Sequence, residues 1–348
     1  MAERVLTTRA LNRAVLARQQ LLEPSGGSIV QTLQAIGGLQ AQYAPSMYVG
    51  LWSRMRHLER DDVTRALERR SVVQATLMRI TIHLVAKRDF WPFALATRQA
   101  RRDLWIRSMR KGATAAQLEQ LAARVREHLT QHGTIARKEL DALVGKPHAI
   151  GVGQWIDLVR APPSGTWEHR RADLFAAAED WIGPPPQTSE QDAAAQLLRA
   201  YLAGFGPASH ADIASYTGLP KRAVAAACER LTLRRFRSEG GVELVDLPRA
   251  PLPDPEQPVG VRFLPTWDAT LLVHARRARI LPEEHRSKIF HVRNPHSDAV
   301  FLVDGAVAGT WRHRDGAVEL QPFHPLDGAT RHALRAQADR LAEFHASP

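Results

Sequence analysis

Through most of the chain apolar residues recur at helical spacing; in a few short runs they alternate with polar ones, and the switches between the two patterns divide it into segments. The clearest segment opens with "EQDAAAQLLRAYLAGFG", an amphipathic helix closed by glycine. Next comes "PASHADIASYTGL", a short helix with a glycine turn, and then "PKRAVAAACERL", a helix begun by proline. "LRRFRSEGGVELVDL" alternates around Glu239, Gly240 and Gly241, the pattern of a β-hairpin. Helix, short helix, turn, helix and hairpin predict a winged helix, a fold that commonly presents a helix and a basic wing to DNA.

The same order recurs. Gly26, Gly133 and Gly206 are each followed by an aliphatic residue at plus seven (Leu33, Leu140, Ile213) and a glycine at plus twelve (Gly38, Gly145, Gly218). The starts lie 107 and 73 residues apart, so one small motif is used three times with different insertions rather than in a solenoid. In the second copy "AAQLEQLAARVREHLTQHG" and "TIARKELDALVG" predict helices, followed by a helix across "VGQWIDLVR" and a wing through "GTWEHRRADLF". In the first, "TTRALNRAVLARQQLL" and "SIVQTLQAIGG" precede a wing at "VVQATLMRITIHLVAKRDF". Between them Arg98, Arg101, Arg102 and Arg107 fall near one helical stripe, which reads as a solvated face or as a basic surface.

After the proline-rich "PRAPLPDPEQP" the pattern becomes short strands, from "VGVRFLPTW" through "KIFHVRNPHSDAVFLV" to "GAVELQPF". Turn signals stand at Asn294-Pro295, Asp304-Gly305 and Asp315-Gly316. A small β-barrel or curled sheet is expected, followed by a helix in "DGATRHALRAQADRLAEFHAS". The predicted fold class is therefore α+β, with three tandem winged-helix units over 1–112 (with extra helices), 113–187 and 188–250, and a C-terminal barrel and helix over 251–348.

Charge sharpens this picture. The net charge is +11, carried by 41 arginines and only six lysines, and arginine's planar fork suits phosphates and guanine edges. Alanine- and arginine-rich coding bias would produce the same excess, so charge alone settles nothing. The single cysteine, Cys228, reads as a small buried apolar residue, which removes disulfides and cysteine metal sites. No run is long and apolar enough for a membrane span and no secretory leader is evident, so a cytoplasmic, nucleoid-associated protein with no membrane partner is expected. No His-Glu-x-x-His zinc pattern, Gly-rich phosphate loop or Gly-x-Ser-x-Gly elbow is present, and neither a metal nor a cofactor is expected.

One stretch resists a purely structural reading. "GLQAQYAPSM" places Gln40 and Gln42 one residue apart in an apolar run, behind Gly37 and Gly38 and ahead of Pro45. Residues two apart share a face only on extended backbone, so if the two amides act together a turn or extended conformation is required. Without further information they read as turn residues that satisfy backbone groups. His83, alone in "TIHLV", reads as structural rather than DNA-facing.

Three winged helices, "GLQAQYAP", "ATLMRITIHLV", "LPTWDATLL" and "FLVDGAVAGTWR" together resemble the winged-helix DNA glycosylases of the AlkZ type, over nearly the whole chain. The resemblance implies a DNA-repair hydrolase that excises bulky N7-alkylated purines from double-stranded DNA, including interstrand crosslinks, with Gln40 and Gln42 as the catalytic pair. It leaves open whether this serves general repair or resistance to a genotoxin. A related subgroup has aspartate at the second position; glutamine here favours the AlkZ-like branch. Phosphate contacts are expected from Arg234, Arg235 and Arg237 of the third wing and from Arg276 and Arg277 in "HARRAR". His291 and Arg293 are two apart on an expected strand, and their hairpin is suited to the minor groove opposite an N7 adduct. No obligate protein partner is inferred. The alternative is a non-enzymatic winged-helix transcriptional regulator, which has no need of paired amides outside its reading helix.

Overall fold

The computed structural model describes residues 4–108, 113–274, 278–290 and 297–347. The recurring glycines and aliphatic residues have a physical meaning in it. Leu33, Leu140 and Ile213 are 1%, 2% and 0% exposed, on the helices Ile29–Ile36, Arg137–Val144 and His210–Thr217. Gly38, Gly145 and Gly218 have φ of 86°, 83° and 78° and stand at or one past the ends of these helices. That left-handed backbone is open to glycine at little cost, and it turns the chain out of each helix.

Each of these helices is followed, after further helices, by an antiparallel strand pair: Val72–Thr76 with Ile82–Ala86, Leu158–Arg160 with Leu174–Ala177, and Arg234–Ser238 with Glu243–Asp246. The first two pairs fuse. Ala75 pairs with Val159, giving one six-stranded sheet in the order Leu39–Gln40, Ile82–Ala86, Val72–Thr76, Leu158–Arg160, Leu174–Ala177, Thr134–Ala136. The third pair stands apart, its Arg234–Ser238 edge covered in parallel by Val5–Leu6. The helix expected across residues 152–160 is instead the short Ala149–Val152, and the chain extends by Leu158 because Val159 is needed opposite Ala75.

Of the two C-terminal expectations, a barrel or a curled sheet, the barrel needs correcting. The four strands, Arg262–Leu264, Val300–Val303, Ala306–Arg314 and Ala317–Pro322, pair in sequence order as an open sheet and not a closed barrel. Among the described residues the first strand pairs with Val300–Val303 and not with Ala317–Pro322, so the ring stays open. The helix Gly328–Ala346 covers the sheet instead, with Leu341 and Phe344 in one core with Phe263, Phe301 and Trp311. Lys288 and Ile289, expected in a strand, belong to the short helix Arg286–Ile289. The Asp304-Gly305 and Asp315-Gly316 turns are as expected: all four residues have positive φ, as two-residue hairpin turns require.

Cores run between segments. One joins Val73 and Phe90 to Val159, Tyr201, Ile213 and Val245; another joins Ile36, Met47 and Leu84 to the C-terminal sheet. Two buried ion pairs tie the same segments together, Arg18 with Asp246 at 2.7 Å and Arg54 with Asp268 at 2.9 Å. The arginine stripe of the helix Lys87–Ser108 is largely turned inward. Arg98 and Arg101 both reach Asp157, at 2.6 and 3.5 Å, and Arg102 donates to the Gln154 carbonyl. Cys228 is only half-buried, its Sγ 3.3 Å from Nε2 of His210. No described helix is long and apolar enough to cross a membrane.

Candidate active site

The local sequence explains how the glutamines are held. Gly37 and Gly38, at φ of 76° and 86°, end the helix Ile29–Ile36, and a Cβ on Gly38 would come within 2.9 Å of Val85. The chain then runs extended through Leu39 and Gln40, paired with Leu84 and His83, and the Ala41 amide donates to the Ile82 carbonyl at 2.7 Å. Gln42 and Tyr43 bend it into the helix Ala44–Trp52, where Pro45 stands in the first turn. The backbone at Gln40 is thus extended, as cooperation between residues two apart requires.

Both side chains are tethered to one turn, that of the first hairpin between Leu77 and Ile82. The Gln40 Oε1 accepts from Arg79 Nη2 at 3.1 Å, and the Gln42 Oε1 accepts from the Ile82 amide at 3.2 Å. A guanidinium and a backbone N–H can only donate, so the hydrogen bonds fix which end of each amide faces the turn. Arg79 is itself constrained. It has a φ of 55°, donates to the Tyr216 carbonyl and lies 4.4 Å over the Tyr216 ring. Desolvation by burial lowers its pKa. Gln40 is buried at 7% exposure and Gln42 is exposed. Arg79 lies within "ATLMRITIHLV", but its partnership with Gln40 could not be read there, because the link spans 39 residues.

His83 is fully buried behind the pair, with Nδ1 3.0 Å from the Thr81 carbonyl. Burial, and then the Arg79 guanidinium, push its pKa down to about 3, so it is neutral near pH 7. The unfolded chain therefore takes this proton first as pH falls below the ordinary 6.5, and the stability His83 contributes is lost progressively toward pH 3. His83→Leu should flatten the fall in unfolding midpoint between pH 7 and pH 4; an unchanged slope would contradict a neutral buried imidazole.

Gln42 and Tyr43, neighbours in sequence, open onto different hollows. Gln42 lines a cavity of about 300 Å³ between the first two hairpins, with Thr76, Ile82, Arg160 and Phe175. Tyr43 lines one of about 360 Å³ toward the C-terminal sheet, with Trp167, Trp311, His313 and Asp298. No carboxylate among the described residues lines the first.

The expected DNA contacts differ in how far they are already engaged. Arg234 is committed to the buried Asp246 at 2.7 Å and to the Ala250 carbonyl at 2.6 Å, so it serves the fold. Arg235 and Arg237 are exposed on the third hairpin; Arg235 pairs with Glu243, and Arg237 donates to the Gly241 carbonyl at 3.2 Å. Neutralising Arg235 and Arg237 together should reduce the salt slope of DNA binding by up to about 1.8, at about 0.9 per phosphate contact. An unchanged slope would leave them as ordinary surface residues. Arg276, Arg277, His291 and Arg293 lie outside the described residues. Among the described residues, Glu284, His285 and His324 bring ligand atoms within 4.8 Å of one another, a grouping the sequence patterns missed because His324 is remote in the chain. It lines neither hollow beside the glutamines.

A family model described as DNA glycosylase AlkZ-like matches residues 33–344, which makes the class of protein plain: it is a DNA glycosylase. The chain belongs to the AlkZ-like DNA glycosylase family, and this decides for an enzyme over a regulator. It is 22% identical to the interstrand DNA cross-link repair glycosylase of Streptomyces sahachiroi, over 93% of each chain. The solved structure of Streptomyces sahachiroi DNA glycosylase AlkZ superposes with a TM-score of 0.80 at 20% identity, covering 99% of this chain and 98% of that one, so the fold is shared.

Proposed function

We propose that this glycosylase hydrolyses the N-glycosidic bond of N7-alkylated purines in duplex DNA, bulky adducts and interstrand crosslinks included, with Gln40 and Gln42 placing the attacking water. The observation that carries this reading is the tethering of both amide oxygens to one turn, beside a cavity lined by no described carboxylate. Such a site has no strong base. Each amide oxygen keeps a second lone pair for a water proton, and its dipole can face positive charge developing on the sugar.

Water attacks C1′ while the C1′–N9 bond breaks, and its electron pair passes to N9. That pair cancels the formal charge of the N7-alkylated ring, so the base leaves neutral without an acid, and the proton of the attacking water passes to solvent. An undamaged purine, which needs its leaving group protonated, gains little from two amides. We read the three helix-and-hairpin segments as winged helices arranged around the duplex, the first two with fused wings. The relative's name supports crosslinks as substrates. A duplex with one N7-guanine interstrand crosslink should be converted by the enzyme to separable strands carrying abasic sites. Intact crosslinks, beside efficient release of N7 monoadducts, would confine the activity to monoadducts.

A further inference from the structure

The cavity beside Gln42 holds a cation without a counter-charge. Arg160 ends the strand Leu158–Arg160, and its Nη2 donates to Thr76 Oγ1 at 3.2 Å while the guanidinium lies 5.5 Å from the Phe175 ring. Its Nε is buried and has no acceptor among the described residues. Burial alone acts on its ionisation and pulls the pKa down to about 10, with no carboxylate among the described residues offsetting it. Three arginines nearby differ, and Arg79, which also has no carboxylate partner among the described residues, donates to Gln40 and the Tyr216 carbonyl. Arg98 and Arg101 share Asp157, and Arg137, in the same cavity, pairs with Asp141 at 2.7 Å.

A desolvated guanidinium with no counter-charge is costly to the free protein, and groups perturbed in this way cluster at sites where a ligand supplies the missing charge. The sign of the charge selects the ligand. A cationic N7-alkylated base would be repelled by Arg160, and a neutral base would leave it uncompensated; a phosphodiester offers a full negative charge and two oxygens matched to the guanidinium fork. We propose that this cavity is an anion site that seats a backbone phosphate of DNA, anchored by Arg160, next to the nucleotide whose glycosidic bond is placed at Gln42. The assignment of the adjoining nucleotide rests on the function proposed above; the anion site itself does not. Thr76 Oγ1, accepting from Nη2, orients the fork, and Ile82 and Phe175 form an apolar wall of the same cavity.

The test uses the full-length protein with Arg160→Gln and Arg160→Lys, and undamaged duplex DNA, so that binding is read independently of base release. Arg160→Gln should bind about tenfold more weakly near physiological salt, with a salt slope lower by about 0.9. Arg160→Lys should keep the slope while losing affinity, since it retains the charge but not the fork. Thermal stability of the free Arg160→Gln variant should equal or exceed that of the parent; a marked loss would assign Arg160 to the fold and overturn the site. Inorganic phosphate should stabilise the parent more than Arg160→Gln. If phosphate does so but the DNA salt slope is unchanged, the cavity takes a free anion and the DNA assignment is wrong. If the slope falls as stated while the parent releases no alkylated base, the phosphate site stands and the proposed substrate fails.

Discussion

Gln40→Ala and Gln42→Ala should each lower release of N7-alkylated guanine by about 10²-fold or more, the scale seen when one preorganised polar group is removed from a reacting centre. DNA affinity should change less than about twofold, because phosphate contacts elsewhere carry most of it. The two variants should differ in stability. Gln40 is buried and holds Arg79, so its loss leaves a guanidinium donor unpaired, whereas Gln42 is exposed and its loss leaves only the Ile82 amide, which water can reach. Gln42→Asp is the more informative change. A carboxylate there can accept from the Ile82 amide as the glutamine does and also act as a base, so activity on small adducts should persist. Base release at the parental rate in both alanine variants would remove the glutamines from the chemistry.

The largest effect on stability should come from Asp268→Ala. Asp268 and Arg54 have fully buried side chains, joined through the Nη1 and Nη2 of the guanidinium at 2.9 Å each, and they link the first segment to the C-terminal unit. Removing the carboxylate strands the Arg54 cation with, among the described residues, the Gly50 carbonyl and the Gln19 amide oxygen as its remaining acceptors. Breaking a buried pair from one side costs roughly 3–5 kcal/mol. Denaturant unfolding should show a loss of that order, and Asp268→Asn, which keeps an acceptor, should lose less. A midpoint within error of the parent would mean that the two units do not depend on this pair.

How much of this the sequence could carry follows from the range of the interactions. The glycines at plus twelve and the aliphatics at plus seven were legible because a helix end and a buried helix face are local matters, fixed by left-handed φ and by spacing. Gly240-Gly241, Asp304-Gly305 and Asp315-Gly316 marked their turns for the same reason. What could not be read depends on partners far along the chain. Ala75 meets Val159 across 84 residues and fuses two hairpins that each looked complete. Asp157 draws in an arginine stripe that periodicity alone leaves open to solvent. Arg234 looked like its neighbours Arg235 and Arg237, but its side of the strand faces Asp246. At the candidate site, two glycines and a proline permitted either a turn or an extended backbone around Gln40 without deciding between them, while the placement of Arg79 and Arg160, which give the site its charge, was not legible.

The most direct measurement is incubation of the enzyme with duplex DNA carrying N7-methylguanine, scored by mass for the free base and by strand cleavage for abasic sites. The account predicts equimolar free N7-methylguanine and abasic sites from the parent, and almost none of either from the Gln40→Ala, Gln42→Ala double variant. No base release by a folded, DNA-binding parent, or undiminished release by the double variant, would contradict it.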